Sequence, residues 1–282
     1  MVGAKLTSEQ IVRYLKKSGL EAIPIQNDSY RVLVPCWRGD VIHECDILED
    51  IAICYGYKNV VPVFPPSATV GSRLRLNKFT DLLRQQMAQS QFNEVLNFAL
   101  CSRADMTSNV FNKDESKLIR IENAKTKEFQ TGRTTLLPGL LRTIIENKSS
   151  PLPFKLFEAG DCIIMNPESD TGSSNVKKLA AVMTDEITEG HKKDIFPVVH
   201  GALDLVMKKC SFEFKRDYIL KPGNNPFFFA GQQFEVILKG EKVGEMGVVN
   251  PKVLKNFNWL NPTSMWELDI AILEKHFTAK FS

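Results

Sequence analysis

Several features are scarce in this sequence, and each shortage removes a class of protein. No apolar run reaches the about 18 residues a helix needs to cross a bilayer, so no membrane span is expected. The residues after Met1 alternate Lys, Ser, Glu and Gln with apolar positions, which is not the pattern of a signal peptide. Cys36, Cys45, Cys54, Cys101, Cys162 and Cys210 are scattered with no CxxC pair, too sparse for a disulfide scaffold. Reduced thiols in a cytoplasmic protein are the simpler account. Cys36, His43 and Cys45 could offer zinc ligands, but a second close pair of ligands is missing. A one-signed charge is missing too: 36 basic residues face 33 acidic ones, a net +3, far from the concentrated patch of a dedicated nucleic-acid binder. Any RNA contact is local or shared with another chain. There is no G-x-S-x-G elbow or reactive-cysteine signature, and His191, His200 and His276 stand isolated. His200, beside Val199, Ala202 and Leu203, reads as a packed histidine.

What is present suffices for two folded domains: 282 residues, 43% hydrophobic and 24% charged. Thr7-Ser8-Glu9-Gln10 is an N-cap and first turn, followed by Ile11, Tyr14 and Leu15 at helical spacing and a stop at Gly19. A hairpin follows, with Glu21 to Ile25 and Tyr30 to Val34 flanking a turn at 26–29, then a helix from Asp46 to about Tyr55. The paired prolines at Pro65-Pro66 cannot continue a helix or a central strand, which gives domains at 1–64 and 75–282 with a linker at 65–74. Beyond it, Leu76, Phe79, Leu83 and Met87 mark one face of a long helix running into an apolar strand at 95–100. Thr134 to Leu141 predicts a capped helix with proline in its first turn, reaching about Asn147. Strands are expected at 154–165, 179–183, 234–238, 242–249 and 265–270, and a helix at 198–209. Strands outnumber helices, so the class is α+β, around an antiparallel sheet flanked by helices.

One local constellation carries chemistry. Asp46, Glu49 and Asp50 fall on one helix face, with Asp40 in the preceding loop, so four carboxylates could gather around a hard cation such as Mg²⁺. Asp46 followed three residues later by Glu49 is also a capping-box pattern, and acids in a first turn are favoured by the helix dipole without any ion. Arg38 could simply neutralise the cluster. Trp37, Tyr55 and Tyr57 read as core or interface aromatics.

The 27-residue run from Val34 to Val60, VPCWRGDVIHECDILEDIAICYGYKNV, resembles the B5 domain of the phenylalanyl-tRNA synthetase β subunit, itself similar to helix-turn-helix modules. That family assigns its acidic positions to Mg²⁺, and they map here onto Asp40, Asp46, Glu49 and Asp50. Further along, RTTLLPGLL, FKLFEAGDCII, GQQFEVILKGEKVGEMGVVNPKV and MWELDI resemble the catalytic-like module of the same subunit, with the class II synthetase fold. Active class II enzymes hold ATP with strand arginines, because triphosphate charge needs fixed cationic forks. Here all 11 arginines lie at or before Arg216, leaving the last 66 residues, where the third class II motif would sit, with none. In the second motif Lys155 stands where an arginine is needed, with altered spacing to Glu158. Gly240, Gly244 and Gly247 sit in a hairpin pattern rather than a phosphate loop.

The resemblance implies a non-catalytic part of phenylalanine–tRNA ligase. A separate α subunit would hold phenylalanine and ATP, the two pairing as an α2β2 heterotetramer on tRNA(Phe) in the cytoplasm. The helix from about Leu76 would be the dimer-forming first motif. The family's editing domain lies before B5 and is not represented here, and the ending at Ser282 resembles the eukaryotic or archaeal type. The alternative is a stand-alone interaction or nucleic-acid-binding protein that reuses B5 and an inactive core.

Overall fold

The computed structural model describes residues 3–26, 29–67, 71, 74–186 and 194–277. The chain divides into two compact units, Met1–Gly71 and Ser72–Ser282. Of the linker expected at 65–74, residues 68–70, 72 and 73 lie outside the described residues, as do 27 and 28 in the expected turn and His191.

In the first unit, α1 (Ser8–Lys17) starts on a capping box: the Thr7 hydroxyl accepts from Gln10 N, and the Gln10 side chain accepts from Thr7 N at 2.8 Å. Strands β1 (Glu21–Pro24) and β2 (Tyr30–Leu33) form the hairpin, and α2 (Glu44–Tyr55) ends at Gly56. Tyr14, Leu15, Leu20 and Ile51 make its small core, with Tyr55 edge-on to Tyr14 at 6.4 Å between ring centroids. Trp37 is exposed and lies over Gly19, where an added Cβ would come within 2.7 Å of the indole.

The second unit opens with α3 (Arg75–Gln89), β3 (Asn93–Glu94), β4 (Leu100–Cys101), the single turn α4 (Arg103–Met106) and β5 (Thr131–Gly132). The strand expected at 95–100 is thus two short pairings at either side of that run. Then come α5 (Leu137–Glu146), β6 (Phe154–Met165), β7 (Ser173–Thr184), α6 (Phe196–Lys209) and β8 (Tyr218–Pro222). The described chain closes with β9 (Phe228–Leu238), β10 (Glu241–Val249), α7 (Pro251–Asn256), β11 (Thr263–Asp269) and α8 (Ile270–His276).

Seven strands form one sheet in the order β3-β6-β7-β11-β10-β9-β8. It is antiparallel except at one edge, where β3 runs parallel to β6, so the sheet is mixed rather than antiparallel throughout. Alternation along the strands separates two cores. Phe157, Ala181 and Trp266 face α3, α6 and α8, packing with Phe79, Leu83, Met87, Val199 and Leu203. Leu156, Val182 and Met265 face α5 and α7, packing with Leu140, Leu141, Ile144 and Val253. The period-2 strands thus bury both faces, each under amphipathic helices.

The glycines of the β9–β10 hairpin serve strand contact. A Cβ on Gly244 would lie 2.1 Å from the Glu267 carbonyl oxygen, and one on Gly247 2.8 Å from that of Gln232. By contrast a Cβ on Gly201, inside α6, meets nothing within 4 Å. Gly244→Ala is expected to destabilise the protein by about 3 kcal/mol through overpacking, whereas Gly201→Ala stabilises it by about 0.5–1 kcal/mol. Denaturant unfolding of the two variants checks both signs.

Candidate functional site

The four acidic residues of the first unit do not come together as one ligand set. Asp40 and Asp50 share a guanidinium: Arg38 Nη2 lies 2.7 Å from Asp40 Oδ2 and 2.9 Å from Asp50 Oδ2, while its Nη1 donates to the Ser18 carbonyl at 2.7 Å. That pairing holds the Asp40 carboxyl below the usual carboxylate range. Asp46 does something else. Its Oδ2 accepts from the backbone amides of Ile42 at 2.8 Å and His43 at 2.9 Å, and these bonds lower its pKa. The capping box is therefore His43 with Asp46, not Asp46 with Glu49: His43 Nδ1 accepts from Cys45 N, and Asp46 returns the bond to the N-cap amide. Glu49 is exposed. Cys36 and Cys45 are exposed free thiols, and among the described residues no group of three or more His, Cys, Asp or Glu converges as metal ligands would. As arranged, Arg38 binds Asp40 and one oxygen of Asp50, and the helix N-terminus binds one oxygen of Asp46.

The second unit carries a cleft of about 560 Å³ where β7, β10 and β11 meet the segments around 106–118 and 225–227. At its base Lys178 and Glu267, far apart in sequence, form a half-buried pair at 2.7 Å. Glu267 Oε1 also accepts from Thr135 Oγ1 and Leu136 N, each at 2.7 Å, and Lys178 Nζ donates to the Thr134 carbonyl at 3.0 Å. Burial, the largest single influence, would lower the pKa of Lys178; the charge and hydrogen bond of Glu267, with the smaller effects of neighbouring acidic groups, together exceed it and the pKa is raised. Thr135 is thus bonded to Glu267, while the residue in the N-cap position of α5 is Leu136, which makes no side-chain cap. Lys242, also lining the cleft, is taken by Glu235 and Glu245, both at 2.6 Å. No arginine lines the cleft among the described residues.

Lys155 does not reach this cleft. It pairs across the sheet with Met183 and shares a strand face with Phe157, on the α3–α6 side. The residue two before Glu158, on the same face as Glu158, is the apolar Leu156. Glu158 is fully buried and bound by protein: Arg133 Nη1 lies 2.6 Å from its Oε1, and Asn97 Nδ2 2.7 Å from its Oε2. The chemistry available is that of a folded scaffold whose inward-facing charges pair with one another. The Lys178–Glu267 and Arg133–Glu158 pairs were not anticipated from sequence, since neither has a local spacing signature.

Comparison with known proteins agrees with this geometry. The family model described as "Phenylalanyl tRNA synthetase beta chain CLM domain" matches residues 61–270, and that of the tRNA synthetase B5 domain matches residues 1–57. The chain is 38% identical over 274 residues to the phenylalanine–tRNA ligase beta subunit of Homo sapiens, covering 95% of this chain and 46% of that protein. It is 39% identical over 275 residues to the Drosophila melanogaster beta subunit, with the same coverage. To the Arabidopsis thaliana beta subunit, named cytoplasmic, it is 33% identical over 285 residues, again 95% and 46%. The chain spans about half the length of the curated relatives it matches. Among solved structures, pyrrolysyl-tRNA synthetase from Desulfitobacterium hafniense superposes with a TM-score of 0.58 at 13% identity over 76% of each chain, a likeness of fold alone and of the class II synthetase kind. With the fold of a class II synthetase and a family match along most of its length, the chain belongs to the phenylalanyl-tRNA synthetase beta chain family.

Proposed function

We propose that this chain is a non-catalytic portion of phenylalanine–tRNA ligase, supporting ATP-dependent attachment of phenylalanine to tRNA(Phe) by pairing with a separate α subunit. The observation that carries this is the cleft. Its lysines at 178 and 242 are spent on Glu267, Glu235 and Glu245, the exposed Lys117 is a point charge, and no arginine lines it among the described residues, so no fixed cationic fork faces a triphosphate. ATP and phenylalanine are then held by the α subunit, in an α2β2 assembly in the cytoplasm. No described helix is long and apolar enough to cross a membrane. The domains of the proposal are a B5-like domain at 1–64, a linker at 65–74 and a synthetase-like core at 75–282.

The pairing surface is the outer side of α3 and the chain after it. Leu74 and Leu96, 72% and 87% exposed, line a groove of about 730 Å³ that also carries Asp81, Arg84 and Glu94, and Phe98, two residues on from Leu96, is 78% exposed beside Phe129. Apolar side chains ringed by charge are the composition of an interface core and rim. The chain is expected to co-purify with the α subunit and to be required for its aminoacylation activity. Leu96→Asp with Phe98→Asp should abolish co-purification, and a chain that binds no such subunit would instead favour the stand-alone module.

In the first unit the reading is structural: Asp40 and Asp50 neutralise Arg38, and Asp46 caps α2. A Mg²⁺ ion at Asp40, Asp46, Glu49 and Asp50 is the second reading, and it requires Arg38 to leave two of the four carboxylates. Calorimetric titration of Mg²⁺ is expected to give equal heats for wild type and Asp46→Ala. The substitution should lower the unfolding midpoint of this unit by roughly 5 °C at neutral pH. Because the folded-state pKa of Asp46 lies below its usual 3.8, the cap contributes fully above that value. The difference between the two proteins therefore closes as pH falls through the lowered folded-state value. A saturable heat seen only in wild type would establish the cation instead.

A further inference from the structure

At one corner of the core, the end of α6, the turn at 211–217 and the tip of the β9–β10 hairpin adjoin. Lys239 N donates to the Asp217 carbonyl at 2.9 Å, and Lys215 N to the Tyr218 carbonyl at 2.8 Å. The carboxylates of this corner are already satisfied. Asp204 is held by Lys208 and the Tyr218 hydroxyl, Glu213 and Asp217 by Arg216, and Glu241 by Lys275 and His276. Lys209, Lys215 and Lys239 are left exposed, and among the described residues they form no ion pair.

Two of these lysines stand on unusual backbone. Lys215 has φ +67° and Lys239 φ +48°, in the left-handed region where glycine or asparagine is easier. Both ammonium groups lie beside aromatic rings, Lys239 Nζ 5.3 Å from the Phe212 centroid and Lys215 Nζ 5.8 Å from that of the exposed Phe214. Lys209 in the last turn of α6 has an ordinary explanation in the helix dipole. The two turn lysines have none of that kind, and they place spare cations on the same corner as an exposed aromatic.

We propose that this corner binds the phosphate backbone of RNA through Lys209, Lys215 and Lys239. The inference rests on the reading that the chain serves a tRNA ligase, and it names a contact surface which that reading leaves open. Exposed lysines without a salt-bridge partner, Lys239 also lying near Asp217, next to the part of the Phe214 ring left open by His200 and Tyr218, suit a phosphodiester chain with accessible bases, since phosphate contacts give affinity without sequence choice and rings add stacking. The aromatic component favours RNA over an acidic polypeptide.

The test is anisotropy titration of a labelled tRNA transcript with the 282-residue chain across a salt series. The comparison is wild type against Lys209→Gln/Lys215→Asn/Lys239→Asn. Asparagine is at ease in the left-handed region, so the triple variant keeps both turns. Each lysine lost from a phosphate should reduce the slope of log K against log salt by about one, hence by about 3 for the triple. Affinity at low salt should fall at least about 10-fold. Lys209→Gln alone, which touches neither turn, should reduce the slope by about one. An unchanged slope, an absence of salt-dependent binding by wild type, or displacement of the RNA by polyglutamate at equal charge would overturn the proposal. The pairing surface proposed beside α3 does not include these lysines, so if co-purification with the α subunit persists while the slope stays unchanged, only the RNA corner is refuted.

Discussion

The carboxylate of Glu267 is the contact on which the second unit's arrangement turns. It faces a cleft, yet it is bound by Lys178, the Thr135 hydroxyl and the Leu136 amide, tying the start of α5 to the middle of the sheet. A half-buried carboxylate with three donors is satisfied, and losing one partner would leave a poorly solvated charge unpaired at a cost of about 1–3 kcal/mol. Such a pair contributes little net stability over an apolar packing, but it fixes one arrangement of strand and helix. The Arg133–Glu158 pair does the same one strand away, and Asn97 joins it to the chain leaving β3.

On the proposed reading, these pairs let a synthetase fold keep its shape without catalysis. In a catalytic cleft, charged groups are held ready for a ligand; here Lys178, Lys242 and Glu267 are bound to protein partners. The surface left available is outside: apolar side chains beside α3, and spare lysines at the corner where α6, the 211–217 turn and the β9–β10 hairpin adjoin. Both are suited to macromolecular partners rather than to a small substrate.

Much of the fold was legible because local signals agreed with tertiary ones. The Thr7–Gln10 capping box, the Phe79-Leu83-Met87 stripe and strand β6 all lie where the sequence pattern puts them. The first half of β7, Ser173 to Lys178, was missed because its polar residues are held extended by β6, through pairings such as Asp161 with Lys177. Helix α8 was not expected, the strand pattern being carried to Ile270, the helix's first residue, although Asp269 accepting from Ile272 N is a local cap signal. At the acidic cluster the residues were legible and their allegiance was not. Arg38 reaches Asp50 twelve positions away through the fold, and Asp46 bonds backwards to Ile42 and His43, so spacing along the helix could not separate ligand from cap.

The central claim is that this core is a scaffold whose cleft pairs Lys178 and Lys242 with its own carboxylates and offers no arginine fork to a triphosphate. Equilibrium binding of ATP to the isolated chain, read together with ATP–pyrophosphate exchange in the presence of phenylalanine, tests it most directly. The account predicts no saturable ATP binding and no exchange until the α subunit is added. Exchange by the chain alone would contradict it.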